Sequence, residues 1–216
     1  MQRSFGTYLS LITAKSGKSE NGQMAVHLPI TAGRIGAFST HTAHPDVLVG
    51  MERFLQHALG VPLSVRNPYV ERTKREVVAV VHQRAPDLLA PANSCWRNAH
   101  LPAGTTHCGE CVPCYVRRVA IEDVTGVGRD PTAYARDVWR QRFADLPEND
   151  DGRRNLSDLS EFRYRFATQS TDELMSEFPE LHSPNMDGHA VVAMYRRWAE
   201  ETARVWAAYP ELVALL

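Results

Sequence analysis

The cysteines of this chain are concentrated in one short segment. They are Cys95, Cys108, Cys111 and Cys114, with the spacing C-x12-C-x2-C-x2-C. A C-x2-C turn directs two thiolates at one tetrahedral ion, and Gly109 and Pro113 suit the tight turns that this requires. Four soft thiolates that leave no open coordination position favour a structural Zn2+. The spacing therefore predicts one closed zinc site that uses all four thiols.

Other uses of the thiols remain open. Two disulfides would need an oxidising compartment, but residues 1–10 contain no sustained apolar stretch of the kind that signal peptides have. A C-x2-C redox pair would leave Cys95 and one further thiol unexplained. An iron–sulfur cluster also binds four thiolates. His107 adjoins Cys108 and could replace one thiol, although four cysteines make it a bystander in the simplest interpretation.

Two further segments carry groups that suit a ligand-binding site. Segment 39–46 places imidazoles, hydroxyls and a carboxylate at the N-terminus of a predicted helix, where anions are favoured. Thr73, Lys74 and Arg75 begin the next helix, and two cations in a first turn are unfavourable unless an anion lies nearby. A hydroxyl-rich N-cap and an ordinary capping box are the structural alternatives. The candidate substrate-binding residues are Ser39, His41, His44, Asp46, Thr73 and Lys74.

Composition narrows the class of protein. The chain has 216 residues, 44% hydrophobic and 23% charged, which suits a globular domain, alone or with a helical appendage. The longest apolar stretches are far shorter than the roughly 20 residues of a membrane span. The net charge of −1 provides no overall positive field for nucleic acid. We expect a soluble, cytoplasmic protein without a membrane or nucleic-acid partner.

Apolar periodicity and the positions of glycine, proline and capping residues predict the secondary structure. Strands are expected over 23–29 and 61–65, and helices over 46–59, 74–82, 115–124, 131–143, 157–168, 171–178 and 187–208, with a polar linker over 146–155. Alternating strands and helices up to residue 82 suggest part of a parallel α/β sheet. We therefore predict an α/β domain over 1–145, with the zinc module at 93–117, and a helical extension over 146–216.

Several motifs occur in an order that resembles one family. They are Asn67-Pro68-Tyr69, Thr73-Lys74-x-Glu76-Val77-Val78, Ser94-Cys95-Trp96, His107-Cys108-Gly-x-Cys111-x-x-Cys114-x-x-Arg117 and Asp130-Pro131-Thr132-x-Tyr134. Together they resemble the C-terminal half of 7-cyano-7-deazaguanine synthase, the QueC family, and its QueC-like relatives in bacterial defence clusters. Glu20-Asn21-Gly22 and segment 39–46 are most similar to the defence relatives. The resemblance covers about residues 20–135.

The resemblance implies a fold, a reaction and ligands. The fold would be a partial adenine nucleotide α-hydrolase-like (HUP/PP-loop) parallel sheet, with a structural zinc held by the four cysteines. Members of the family use ATP and Mg2+ to activate a carboxylate as an adenylate, from which an amine displaces AMP. In QueC the carboxylate is 7-carboxy-7-deazaguanine and ammonia supplies the nitrogen. Thr73 and Lys74 would lie near the substrate and the phosphates. The resemblance assigns no catalytic residue here.

The sequence departs from the family at the pyrophosphate loop. Ser-Gly-Gly-x-Asp-Ser has no counterpart, because Ser16-Gly17-Lys18-Ser19 lacks the closely spaced glycines that let backbone N–H groups surround a pyrophosphate. The gap between Cys95 and Cys108 is also a few residues longer than is usual in the synthases. We expect a truncated or divergent ligase, inactive unless a nucleotide-binding part is supplied. The alternative is a non-catalytic, zinc-stabilised scaffold that binds a protein partner or a second copy. A nucleic-acid-binding zinc ribbon is disfavoured by the net charge.

Overall fold

The structure is a computed structural model that describes residues 28–30 and 44–215. Its α-helices within these ranges are α1 (Pro45–Leu59), α2 (Lys74–Arg84), α3 (Val112–Thr125), α4 (Asp151–Thr168), α5 (Thr171–Glu177) and α6 (Gly188–Trp206). Short 3-10 turns cover Pro86–Leu88, Asn98–His100, Val138–Arg140, Phe143–Asp145, Pro179–His182 and Val213–Leu215. Over the described ranges the chain has no β-strand, and a single parallel bridge joins His107 to Tyr134.

The predicted parallel α/β sheet is therefore wrong for the described part of the chain. Residues 61–65, the predicted strand, are irregular, because side chains of α1 bind the backbone groups that a neighbouring strand would bind. Gln56 Nε2 donates to the carbonyl of Leu63 at 2.7 Å, and the N–H of Val65 donates to Glu52 at 2.9 Å. Residues 23–27 of the other predicted strand lie outside the described residues, and residues 28–30 have no regular structure.

The first two helices begin and end within two residues of their predicted bounds, 46–59 and 74–82. His44 is the N-cap of α1, and Gly60 ends the helix in the left-handed region at φ 65°. The Thr73 side chain accepts from the N–H of Glu76, and the Glu76 carboxylate accepts from the N–H of Thr73, so the predicted capping box is confirmed. A capping box satisfies two helix N–H donors that would otherwise lack a partner. It fixes the first turn of α2.

The prediction fails between α3 and α4. The expected helix over 131–143 is wrong, since this segment lies along the cysteine loop and contains the short turn Val138–Arg140 and the first residue of the turn Phe143–Asp145. The N–H of Ala135 donates to His107 O at 2.8 Å, and the N–H of Arg136 donates to Cys108 O at 3.1 Å. These long-range hydrogen bonds replace helical ones. The expected linker over 146–155 ends early, because Asp150 caps α4 and starts it at Asp151.

The helices enclose a continuous apolar core. α4 and α5 pack against α6, and α6 also contacts α2 and α3. The main core cluster includes side chains from α3, from the segment around Trp139 and from α4 to α6, and a smaller cluster joins α2 to α3 through Val78 and Ile121. The predicted division at residue 145/146 stays a prediction. Among the residues that the structure describes, no helix has the length and apolar character of a membrane span.

Candidate functional site

The four cysteines come together although they lie on different parts of the chain. Cys95 ends an irregular segment, Cys108 lies in the loop before α3, Cys111 is the N-cap of α3, and Cys114 is in its first turn. All four are buried and none forms a disulfide. Their sulfur atoms all lie within 4.8 Å of one another. The cluster is thus a group of four thiols that could hold a metal ion.

Sulfur spacing in the cluster fits a small tetrahedral ion. Tetrahedral Zn2+ with Zn–S bonds of about 2.3 Å holds its sulfurs about 3.8 Å apart. The Sγ–Sγ distance is 3.8 Å between Cys108 and Cys114, and 3.3 Å between Cys111 and Cys114. Only small movements separate this arrangement from a coordination sphere. The residues present therefore fit the ion that the spacing predicts.

Backbone N–H groups are already directed at two of the sulfurs. Cys95 Sγ accepts from the N–H groups of Arg97 and Cys108, both at 3.3 Å, and Cys108 Sγ accepts from the N–H of Glu110 at 3.5 Å. Such donors stabilise negative charge on a thiolate. The loop thus favours ionised sulfur, which is the form that binds metal.

The pKa values of the thiols differ according to their place in the cluster. Hydrogen bonding from Cys111, then from Cys114, lowers the pKa of Cys108 to about 6, and bonding from Cys108 lowers that of Cys95 below its usual range. The pKa of Cys111 and of Cys114 is raised, first by the hydrogen bond to Cys108. Without an ion, the hydrogen bonds that Cys111 and Cys114 make to the first two sulfurs favour their protonated forms. A divalent cation would remove that preference, which is the behaviour of a metal-coupled site.

Gly109 permits the tight loop between Cys108 and Cys111. Its φ is +79°, which L-residues with side chains rarely adopt. A Cβ atom at this position would lie 1.9 Å from the carbonyl oxygen of Arg136. The segment around residue 136 therefore covers the cysteine loop so closely that only glycine fits.

His107 is a structural neighbour of the cluster. Its Nε2 accepts from the N–H of Ser94 at 3.1 Å, and its Nδ1 lies 3.0 Å from the hydroxyl of Thr106. Burial, followed by the nearby Arg117 charge, lowers the pKa of His107 to about 4. Both ring nitrogens are engaged by other groups. The interpretation of His107 as a bystander to four thiols agrees with this geometry.

Arg117 within α3 and the motif residues that follow this helix support the loop. Arg117 donates from Nε to the hydroxyl of Thr132 at 2.9 Å and also to the carbonyl of Leu89. Asp130 accepts from the N–H of Thr132 at 2.9 Å and from the Tyr134 hydroxyl at 2.7 Å. These contacts connect α3, the turn before Cys95 and the covering segment. The sequence identified these residues as family markers, but their mutual contacts became visible only in the structure.

Thr73 and Lys74 are buried at the N-terminus of α2. The Thr73 hydroxyl accepts from the N–H of Glu76 at 3.1 Å and donates to Glu201 Oε1 of α6 at 2.8 Å. Arg75, the second cation of this turn, donates to Asp123 of α3 at 3.1 Å. Sequence reasoning missed Glu201, although it stands beside the apolar residues Trp198 and Val205 on one helix and could have been noticed as an acid at the edge of a buried face.

His44 and Asp46 lie together at the N-terminus of α1. Asp46 accepts from the Ser183 hydroxyl at 2.6 Å and from the Asn185 side chain, and these two bonds lower its pKa, Ser183 most. His44 is buried, and its Nδ1 accepts from the N–H of Asp46 at 3.2 Å. Ser39 and His41 lie outside the described residues. The structure thus places Asp46 against residues 183–185 and Thr73 against α6, and the role of the six residues in binding substrate stays a prediction.

Comparison with known proteins agrees with the resemblance seen in the motifs. The family model of the queuosine biosynthesis protein QueC matches residues 36–125, a segment that includes α1, α2, the cysteine cluster and α3. The resemblance to this family is confirmed over that segment, and it indicates a function of the queuosine-biosynthesis type. No curated protein and no solved structure gave a significant match.

Proposed function

We propose that this chain takes part in a QueC-type ligase reaction, in which ATP activates the carboxylate of a 7-deazapurine and an amine then forms the C–N bond. One observation carries the proposal. The segment that matches the family, residues 36–125, contains a buried four-thiol cluster, and the first turn of α2 lies in the same segment. The proposal includes the defence-associated form of the reaction, in which the same activation by ATP modifies another target.

Structural zinc is the first part of the proposal. When bound, the ion would fix Cys95 and the cysteine loop to the start of α3, and α3 packs against α2. The zinc ion would then affect chemistry at α2 only by fixing the position of this helix. The cysteines bind the ion, Arg117 and the segment 130–136 hold the loop, and Lys74 supplies a cation toward the substrate or its phosphates.

The zinc proposal is tested by metal analysis. We expect about one zinc per chain by elemental analysis, because structural sites with four thiolates bind one ion. Cys111→Ser should lower both the zinc content and the melting temperature, since metal binding contributes to folding. Ser94→Ala, a change beside Cys95 that removes no predicted ligand, is the matched control. Stoichiometric iron, or metal-free protein of full stability, would contradict the assignment.

The ligase proposal is tested by AMP release. The chain is incubated with ATP, Mg2+, ammonium and 7-carboxy-7-deazaguanine, and AMP should form only when the carboxylate is present. Lys74→Met should lower the rate about 10- to 100-fold, the effect of losing a hydrogen bond to a charged group. Arg72→Met removes an exposed cation two residues away and should leave the rate unchanged. Absence of AMP from the unaltered chain would exclude ligase activity of this chain by itself.

A non-catalytic, zinc-stabilised binding module is the second candidate. It is favoured by the contacts of Asp46 and Thr73, whose side chains bind Ser183, Asn185 and Glu201 of the same chain. A module of this kind would bind a protein partner or a second copy. A stable complex or dimer in light scattering, together with no AMP release, supports it. A monomer that copurifies with no protein counts against it.

A further inference from the structure

Glu201 is a buried carboxyl at the contact of three helices. It projects from α6 toward the N-terminus of α2, and its residue exposure is 5%, while that of Thr73 is 0%. Oε1 accepts from the Thr73 hydroxyl at 2.8 Å. Oε2 is also buried and has no hydrogen-bond partner among the residues that the structure describes. A buried acceptor without a partner is destabilising, and more so when it carries charge.

Three arginines around Glu201 are paired with other acids. On α2, Arg75 binds Asp123, and on α6, Arg204 binds the same Asp123 at 3.0 Å. Arg197 of α6 binds Glu76 at 3.0 Å. Lys74, the remaining cation of the first turn of α2, is also engaged in an interaction and is not without a partner.

These pairings leave the Glu201 carboxylate with two acids nearby and no ion pair of its own among the described residues. The pKa of Glu201 is raised to about 7, mainly by desolvation through burial and also by the charges of Asp123 and Glu76. The Thr73 hydroxyl and Arg75 act in the opposite direction. The protonated acid keeps the bond from Thr73 without placing a charge in the interface. Geometry and charge therefore agree that the closed contact prefers a neutral carboxyl.

We propose that Glu201 is a proton-dependent latch, which holds α6 against the N-terminus of α2 while it is neutral and loosens that contact when it ionises. The direction of the pH effect is set by the state, closed or open, in which Glu201 binds its proton more tightly. A carboxyl that binds its proton more tightly in the closed state stabilises that state at low pH, and the stabilisation is lost as pH rises through the closed-state value. Loosening frees the Thr73 hydroxyl from Glu201. The latch does not depend on the ligase proposal.

Hydrogen exchange of the α6 amides tests the latch. After correction for intrinsic exchange rates, the opening constant of residues 188–206 should rise on the order of 10- to 100-fold between pH 5 and pH 8 and then level off. Glu201→Gln keeps the shape and the acceptor of the neutral acid, so its opening constant should stay low and nearly flat over this range. Glu200→Gln, a change at the exposed neighbouring position, should behave as the unaltered chain.

A direct titration makes the test independent of the variants. The carboxyl 13C signal of Glu201 in the unaltered chain should titrate near neutral pH, and a midpoint near the ordinary value of 4.5 would overturn the latch. Equal pH dependence of α6 opening in the unaltered chain and in Glu201→Gln would overturn it as well. A near-neutral midpoint together with a flat Glu201→Gln profile supports it.

Discussion

Individual residues around the cysteine cluster determine whether it can bind an ion. Three backbone N–H groups are directed at Cys95 and Cys108, and Gly109 allows the carbonyl of Arg136 to lie against the loop. Each of these contacts depends on the position of a single backbone group, an N–H or a carbonyl. The cluster is therefore sensitive to changes that leave all four thiols intact.

Gly109→Ala should disrupt the site without removing a ligand. The new Cβ would meet the Arg136 carbonyl at 1.9 Å in a left-handed backbone conformation, so we expect a loss of about 2–5 kcal/mol in the free energy of unfolding and a lower zinc content. Gly104→Ala is a matched control, because Gly104 has a similar φ of +82° but no atom within 4 Å of the added Cβ. It should cost only about 1–2 kcal/mol and retain zinc. Equal effects of the two changes on zinc content would contradict this account.

At the scale of elements, the segment between α3 and α4 connects the cysteine loop to the C-terminal helices. Asp150 caps α4 by accepting from the N–H of Arg153 at 2.9 Å, and it also accepts from Arg136 at 2.6 Å. Glu110 in the cysteine loop binds the same Arg136 at 3.1 Å. The start of α4 is thus fixed to the segment that covers the cysteines.

Asp150→Ala should destabilise the chain through the cap of α4. Loss of an N-cap typically costs about 0.5–2 kcal/mol, whereas Asp150→Asn keeps a good cap and loses only the ion pair. Burial alone would raise the pKa of Asp150, but the N–H of Arg153 and the Arg136 charge lower it below 3.8.

A carboxyl with a lowered pKa stabilises the folded state above its unfolded value and loses that effect as pH falls through the folded value. Urea unfolding should therefore show the difference between the unaltered chain and Asp150→Asn at pH 6, and the difference should shrink below about pH 3.8. A difference that stays constant as the pH is lowered would contradict this role.

At the scale of the whole molecule, Trp139 and Arg118 join the cysteine-containing part to the last helix. Trp139 is fully buried, and its ring lies 5.3 Å from Tyr209 and 6.3 Å from Trp206. The Arg118 guanidinium lies 4.6 Å from the Trp139 ring and binds Glu122 and Asp137. Its charge is therefore paired although the side chain is buried, as a buried cation requires.

Trp139→Leu should destabilise the molecule as one unit. We expect a loss of about 2–4 kcal/mol in the free energy of unfolding, from the buried area lost and the cavity left. Circular dichroism at 222 nm and fluorescence of the remaining tryptophans should report the same lower urea midpoint, because both sides of the Trp139 contact would unfold together. Tyr164→Leu is the control, since Tyr164 is 58% exposed and should change stability by less than about 0.5 kcal/mol. Separate midpoints for the two signals would show independent units.

Sequence reasoning succeeded where the signal was local. α1, α2, α3, α5 and α6 were predicted close to their positions, because caps such as Thr73, glycines such as Gly60 and apolar periodicity act within a few residues. It failed at 61–65, where the predicted strand has no neighbouring strand among the described residues and binds side chains of α1. It also failed at 131–143, where hydrogen bonds to the cysteine loop replaced a helix. Both failures come from partners that lie outside the predicted segment itself.

The sequence by itself determined the family resemblance over residues 36–125 and the identity of four thiols that could bind a metal, because the spacing of ligands and motifs is a local property. Only the tertiary structure decided that the described residues form helices without a sheet, that Arg136 closes over Gly109, and that Glu201 lies against Thr73. The physical reason is that burial and long-range hydrogen bonds depend on which distant segments meet. Thr73 and Glu201 are joined by a hydrogen bond across 128 positions of the chain, and no local pattern encodes that contact.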